Sequence, residues 1–160
     1  MPLKVGYWKI RGLAAPLRMV CAYAGCEFES IEYEAKSDGK GGWDLSEWFS
    51  VKPGLQERNA MMNLPYVEDG DILITQSNAC LKYLGRKLNM LGDGPAEACA
   101  TDQLMDQIMD LRNAAVGVFY GGWEKADAHV DKAVAGHYKK LEGFMTQQGK
   151  AFLASDAPTV

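Results

Sequence analysis

The chain has 160 residues, 48% of them hydrophobic and 24% charged, a composition typical of one globular domain or of a small domain with part of a second. Its formal net charge of −4 argues against nucleic acid as a partner, because phosphate backbones are bound by basic faces. No apolar run is long enough to cross a bilayer, and no signal-peptide pattern is found. The sequence therefore predicts a cytoplasmic protein without membrane contact.

The cysteines limit the metal and redox chemistry that the sequence can support. There are four, Cys21, Cys26, Cys80 and Cys99, and none forms a C-x-x-C pair or a zinc-type spacing with the two histidines. No metal site is therefore predicted. We expect free, mostly buried thiols in a reducing compartment.

The first part of the chain indicates a strand, a helix and a second strand. Leu3–Trp8 is rich in strand formers, and the apolar residues of 13–24 recur with a helical period. Pro16 lies in the first turn of that helix, where its missing N–H is harmless, and Gly25 is a suitable helix stop. Apolar residues in 28–33 suggest the second strand. This order predicts a βαβ unit with a parallel strand pair.

The following residues predict a short helix, a hairpin and a second long helix. Residues 37–42 have the composition of a loop, 43–49 form a short helical patch, and 51–62 look irregular. Asp69-Gly70 between two short apolar runs is a hairpin signal. Ser77 is a good N-cap for the helix that comes next.

Composition and periodicity divide the chain into a mixed domain over 1–88, a linker over 89–95 and a helical domain over 96–160. Within the last domain, apolar residues follow a helical spacing over 104–119 and again over 130–145. The final residues have the pattern of a turn and an N-cap. We therefore expect an incomplete helical domain and a marginally stable chain.

This order of elements and three motifs resemble the glutathione S-transferase family, and within it the mu class. The motifs are Gly-Tyr-Trp-Lys-Ile-Arg-Gly-Leu at 6–13, Asn-Leu-Pro-Tyr at 63–66 with Asp69-Gly70, and Ile-Thr-Gln-Ser-Asn-Ala at 74–79. The resemblance implies an α/β thioredoxin-like domain of βαβαββα order followed by an all-α domain. Members of the family continue past residue 160.

The activity implied by the resemblance is attack of the glutathione sulfur on an electrophilic carbon of a mostly hydrophobic substrate. A free thiol has a pKa of about 8.5 and is mostly protonated at neutral pH, so the enzyme must stabilise the thiolate. A hydroxyl that donates to sulfur favours the charged form. The resemblance assigns this catalytic role to Tyr7, which by position alone is more simply a core tyrosine at a strand end.

The resemblance also implies a set of glutathione contacts in the first domain. Gln76 and Ser77 bind the γ-glutamyl carboxylate at a helix start, where free N–H groups and the helix dipole favour an anion. Pro65 is implied to be cis, so that the Leu64 backbone pairs with the cysteinyl part. The remaining contacts are Trp8, Leu13, Trp48, Lys52 and Asn63, with Trp48 and Lys52 at the glycyl end. From the residues alone, Ser77 is sufficiently explained as a helix cap and Lys52 as a surface lysine.

Two residues of the helical domain match functional positions of the family. Asp110 is implied to reach the glutathione amino group of a partner subunit, which predicts a homodimer. Tyr120 is implied to face the electrophile pocket together with Trp8 and Leu13. The alternatives are a solvated carboxylate stripe for Asp110 and a core tyrosine at a helix end for Tyr120.

Two departures from the family pattern leave a second function open. Leu45 stands where the family has an arginine near the glycyl carboxylate, and Met61 stands where the mu class inserts an aromatic residue into the partner subunit. A non-catalytic glutathione-binding or structural relative is therefore the alternative to a transferase. A thiol-disulfide oxidoreductase is disfavoured, because no cysteine lies near Tyr7 and Trp8.

Overall fold

The computed structural model describes residues 2–160, and the chain divides into two compact units, 1–88 and 89–160. In chain order, the first unit contains β1 (Leu3–Trp8), α1 (Ala15–Tyr23), β2 (Phe28–Tyr33), β3 (Lys36–Ser37), β4 (Trp43–Asp44), α2 (Ser46–Gln56), β5 (Tyr66–Asp69), β6 (Ile72–Thr75) and α3 (Ser77–Lys87). A 3-10 turn, Gly12–Ala14, precedes α1. Apart from the small β3–β4 pair, this is the predicted βαβαββα order.

The second unit is helical, as predicted. It contains α4 (Gly94–Gly121), α5 (Ala126–Ala133) and α6 (Lys139–Gln148). A 3-10 turn, Trp123–Lys125, precedes α5, and a π-helical segment, Val134–Tyr138, joins α5 to α6. Helix α4 begins inside the segment predicted as a linker, and α6 ends at Gly149, whose φ of +61° is a left-handed conformation suited to glycine.

A four-stranded mixed sheet of order β2-β1-β5-β6 runs through the first unit. Strands β1 and β2 are parallel, so the predicted βαβ unit is confirmed, with α1 as the crossover that a parallel pair requires. Strand β5 is antiparallel to β1, with Tyr66 opposite Gly6. Strands β5 and β6 form the predicted hairpin, in which Gly70 has a φ of +60°.

The core of the first unit combines apolar residues from the sheet and from two helices. Val5 of β1, Val67 of β5, Leu17 of α1 and Leu84 of α3 are completely buried, and α1 and α3 contact each other. Burying one such side chain stabilises a fold by about 1.5–3 kcal/mol. The helical period of 13–24 thus reflects a real apolar face.

Two predictions about residues 43–62 are wrong. Helix α2 extends to Gln56 and contains Pro53, whereas the sequence suggested irregular structure there. Proline removes one helical donor, but the bond from the Glu57 N–H to the Pro53 carbonyl, 3.2 Å long, is retained. Burial of Trp48 anchors the helix against the rest of the unit and outweighs the local cost.

Trp43 belongs to a strand rather than to the predicted helical patch. It pairs with Ser37 in the β3–β4 hairpin, and the intervening loop is held by Asp38, whose Oδ1 accepts from the Lys40 and Gly42 N–H groups at 2.7 and 2.8 Å. Asp44 Oδ1 then accepts from the Ser46 N–H at 2.9 Å, at the start of α2. Short side-chain-to-backbone bonds of this kind compete with helix formation.

Apolar positions of the helical unit remain exposed. The side chains of Ile108, Val130, Val134, Tyr138 and Met145 keep between 42% and 55% of their surface in solvent. The helical period predicted for 104–119 and 130–145 is therefore present, but it does not correspond to a closed core in residues 89–160. None of the helices found in residues 2–160 has the length and hydropathy of a membrane span.

All four cysteines are free thiols. Cys21 and Cys80 are buried, as expected, and Cys26 is partly buried. Cys99 is exposed on α4, so the expectation of burial is wrong there.

We expect Gly6→Ala to destabilise the protein, because an added Cβ would lie 2.1 Å from the buried Tyr66 ring. Forcing an atom into a packed core costs about 1–3 kcal/mol. Gly54→Ala, in helix α2 with no atom within 4 Å of the added Cβ, is the matched control and should be neutral or slightly stabilising. Urea unfolding followed by circular dichroism measures both, and equal midpoints would contradict the packing of Tyr66 on Gly6.

Candidate functional site

Tyr7 lies near the end of β1, with its ring against the turn that precedes α1. A Cβ at Gly12 would lie 2.5 Å from Tyr7 Cε1 and 2.9 Å from the hydroxyl oxygen, so this contact requires glycine. Gly12 also has a φ of +37°. The Tyr7 side chain is mostly buried, yet no group among residues 2–160 hydrogen-bonds to its hydroxyl. The phenol is thus rigidly placed and can still donate to a ligand.

Trp48, predicted to contact glutathione, is chiefly a core residue. It is 1% exposed and belongs to a buried cluster with Tyr33, Met62 and Tyr66. Its ring centroid lies 5.2 Å from that of Tyr33 and 6.3 Å from that of Tyr66. The hydroxyls of Tyr33 and Tyr66 are 2.8 Å apart, and burial raises the pKa of both phenols, so both stay neutral. The cluster joins α2 to the sheet.

Lys52 follows Trp48 by one helical turn. Its Nζ lies 5.9 Å from the centroid of the Trp48 ring and 5.7 Å from that of Phe49, within range of cation–π attraction. No carboxylate among the described residues pairs with it. Leu45, which replaces the family's arginine, directly precedes α2 and adds no charge there. Lys52 is thus a positioned cation that can bind an anionic ligand.

The Asn63–Pro65 segment is held against the end of β6 by Thr75. The Thr75 hydroxyl lies 2.7 Å from the Asn63 carbonyl oxygen and 3.1 Å from that of Pro65, and Thr75 is buried. The Leu64–Pro65 peptide bond is cis, which confirms the expectation from the resemblance. Asn63 and Leu64 therefore lie beside the junction between β6 and α3. Residue patterns did not single out Thr75, although it lies within the 74–79 motif.

Gln76 and Ser77 form that junction. Helix α3 begins at Ser77, so the prediction that Ser77 is the N-cap is wrong by one residue. Gln76 takes the flanking position because its carbonyl accepts from the Cys80 N–H at 2.8 Å. Gln76 is exposed and has a φ of +73° and a ψ of +119°. A non-glycine residue in this region costs about 1–3 kcal/mol and is found most often at ligand sites.

The first turn of α3 offers the N–H groups that an anion requires. The N–H groups of the first helical residues have no acceptor within the helix, and the helix dipole places a partial positive charge there. Gln76 and Ser77 lie at this end, next to the segment that Thr75 holds.

For the remaining predicted site residues, the structure gives the position in the fold and the degree of exposure. Trp8 is the last residue of β1, Leu13 lies in the 3-10 turn, and both are partly buried. In the second unit, Asp110 and Tyr120 lie on α4, and both are exposed. Tyr120 is 85% exposed, so it is not a core tyrosine of the described chain. No group of three metal-ligating side chains is found in residues 2–160.

The family model described as the glutathione S-transferase N-terminal domain matches residues 3–86. The chain belongs to the glutathione S-transferase family. It is 37% identical over 151 residues to mouse glutathione S-transferase Mu 4, covering 92% of this chain and 66% of the relative. It is 42% identical over 122 residues to rat glutathione S-transferase Mu 2, covering 75% of this chain and 53% of the relative.

The structural comparison agrees with the sequence comparison. The crystal structure of the glutathione S-transferase from Ascaris lumbricoides superposes with a TM-score of 0.76 at 26% identity, over 99% of this chain and 75% of that one. The thioredoxin-like fold and the mu-class resemblance are thereby confirmed. The chain spans from about half to about two thirds of the length of these curated relatives.

We expect Thr75→Val to loosen the glutathione S-transferase site. The change removes the Thr75 donor from the buried Pro65 carbonyl and from the partly buried bond to the Asn63 carbonyl, which costs about 1–3 kcal/mol of unfolding free energy. Thr75→Ser, which retains the hydroxyl, is the control and should lose less. Denaturant unfolding compares the two variants, and a Val variant as stable as the Ser variant would contradict the role given to the hydroxyl.

Proposed function

We propose that this chain carries the glutathione site of a transferase, which conjugates reduced glutathione to electrophilic, mostly hydrophobic substrates. The observation that supports this most directly is the Tyr7 hydroxyl, which is fixed by the close approach of Gly12 and has no hydrogen-bond partner among residues 2–160. Membership of the family supplies the ligand that this donor serves.

The proposed chemistry is a substitution or addition at carbon. The Tyr7 O–H donates to the glutathione sulfur and stabilises the thiolate, which lowers the pKa of the bound thiol, and the thiol proton passes to solvent water. The sulfur electron pair then attacks the electrophilic carbon. A carbon–sulfur bond forms and the leaving group departs with its electron pair, or an activated double bond takes up the electrons and a proton.

The proposed binding mode distributes glutathione over the first unit. The γ-glutamyl carboxylate binds at the start of α3, where Gln76 and Ser77 lie, because the N-terminal end of a helix and its dipole favour an anion. Asn63 and Leu64, with Pro65, flank the cysteinyl part. Lys52 binds the glycyl carboxylate, and Trp48 chiefly supports Lys52 from within the core.

The hydrophobic substrate and the partner subunit belong to the same proposal. Trp8, Leu13 and Tyr120 contribute to the electrophile pocket, where the Tyr120 hydroxyl assists developing negative charge. Asp110 binds the amino group of the glutathione held by a partner subunit, in a cytoplasmic homodimer that acts in detoxification. The exposure of Tyr120 and Asp110 is compatible with such contacts. Met61, 75% exposed, is available as the apolar insert.

A glutathione-binding relative with little catalysis is the second candidate. It is favoured by Leu45, which removes a cation from the glycyl end, and by the burial of Trp48, which limits its contact with a ligand. The two candidates differ in turnover and not in binding, so one pair of measurements separates them.

We expect Tyr7→Phe to retain glutathione binding but to lose turnover. A hydrogen bond to a charged group contributes about 1.5–3 kcal/mol, which corresponds to a rate about 10- to 100-fold lower. Elution from immobilised glutathione measures binding, and conjugation to an aryl halide across a pH series measures turnover. The midpoint of the pH–rate curve should rise, because the thiolate loses its donor.

The control for that experiment is Tyr23→Phe, which removes a phenol hydroxyl from an exposed position on α1. It should behave as the unaltered chain. Binding without turnover in the unaltered chain would support the second candidate. Failure of the folded chain to bind glutathione would contradict the proposed site.

We expect Lys52→Gln to weaken glutathione binding about two- to fivefold, the range of a partly exposed ion pair. The loss should shrink as salt is added, because screening already weakens the contact in the unaltered chain. Lys40→Gln, in the β3–β4 loop, is the charge-matched control. Isothermal calorimetry measures both variants, and equal effects would mean that only net charge matters.

A further inference from the structure

The end of helix α1 brings two cysteines into a specific backbone arrangement. After Ala24, Gly25 adopts a left-handed φ of +64°. The Gly25 N–H donates to the Ala22 carbonyl at 3.2 Å, and the Cys26 N–H donates to the Cys21 carbonyl at 2.9 Å. This pair of bonds defines a Schellman motif, a common helix ending.

The motif sets the relation between the two side chains. The residue that donates the outer bond and the helical residue that accepts it commonly have side chains in contact. In this chain those two positions are Cys26 and Cys21. The Cys26 thiol is near enough to contribute to the raised pKa of the Cys21 thiol, in agreement with the backbone geometry.

The two thiols differ in their access to solvent. Cys21 is completely buried, and burial, followed by the neighbouring Cys26 thiol, raises the pKa of Cys21 to about 11. Cys26 is partly exposed and lines a surface depression with Pro2, Glu27, Phe28 and Glu29. An oxidant in solution therefore reaches Cys26 first, while Cys21 remains a protected thiol beside it.

We propose that Cys21 and Cys26 form a redox-active pair that closes to a disulfide when Cys26 is oxidised by a peroxide. The Cys26 sulfur attacks a peroxide oxygen, the O–O bond breaks, and Cys26 sulfenic acid and water form. The Cys21 sulfur then attacks the Cys26 sulfur. The S–O bond breaks, and hydroxide leaves as water with the proton of the Cys21 thiol. Two thiols supply two electrons, and the peroxide is reduced to two waters.

The other cysteines are unsuited to this reaction. Cys80 is completely buried in α3, as Cys21 is in α1, but its Sγ hydrogen-bonds to the Ile74 carbonyl oxygen at 3.5 Å and it lies outside the helix-end motif that relates Cys21 to Cys26. Cys99 is exposed on α4 and belongs to the second unit. It is therefore an internal control for a thiol that an oxidant reaches but that has no such neighbour in the same motif. The proposal does not depend on glutathione binding.

The test treats the 160-residue chain with hydrogen peroxide and alkylates accessible thiols. After acid quenching, the chain is unfolded and alkylated again, and its peptides are mapped by mass spectrometry. We expect Cys21 and Cys26 to be found in one peptide, or in two linked peptides, whose mass is lower than that of the reduced form by two hydrogens. Both cysteines should resist alkylation until a reductant is added. Cys80 should become alkylated after unfolding, and Cys99 should react as a single thiol.

Three variants make the result specific. Cys21→Ala should stop the reaction at the sulfenic acid of Cys26, which dimedone traps. Cys26→Ser should leave Cys21 reduced after the same treatment, and Cys99→Ser should form the disulfide as the unaltered chain does. Full alkylation of Cys21 in oxidised, unfolded chain would overturn the proposal. So would oxidation of Cys26 only to sulfinic acid, or a disulfide between Cys26 and Cys99.

Discussion

Packing of the Tyr66 ring on the backbone of Gly6 is the contact on which the first unit depends. The ring occupies the space where any larger residue would place its Cβ, so β1 and β5 meet closely at this point. The same tyrosine shares a hydrogen bond with Tyr33 of β2 and stacks on Trp48 of α2. One buried aromatic residue thus joins three strands and a helix. Tyr7 follows Gly6 in β1, so the packing of Gly6 against Tyr66 also fixes the backbone position of Tyr7.

Helix α2 carries a core residue and the lysine of the proposed glutathione site one turn apart. Trp48 is almost fully buried and holds the helix in place, while the ammonium group of Lys52 lies near its ring and that of Phe49. This arrangement explains how a helix containing Pro53 is maintained. Trp48 and Lys52 can act together because residues four apart share a helix face.

In the proposed binding surface, a residue with an unfavourable backbone conformation lies next to a residue that hydrogen-bonds to a distant segment of the chain. Gln76 adopts a backbone conformation that L residues rarely occupy, directly before the first turn of α3. Thr75, the preceding residue, is buried and holds the Asn63–Pro65 segment through its hydroxyl. The strained residue is therefore next to one that is firmly fixed. Similarly, the backbone bonds at the end of α1 place Cys21 and Cys26 at the two positions of a Schellman motif whose side chains commonly meet, although neither belongs to the proposed glutathione site.

The sequence by itself determined the order of the main elements, the β5–β6 turn at Gly70 and the end of α1, because periodicity and glycine conformation act over a few residues. Together with the motifs, it was sufficient to identify the family. Tertiary structure alone decided that Pro53 lies within a helix and that Trp48 is core. It also decided that Gln76, rather than Ser77, flanks α3, and that Thr75 supports Asn63. These features depend on contacts between residues distant in the chain, where burial and long-range hydrogen bonds outweigh local preference.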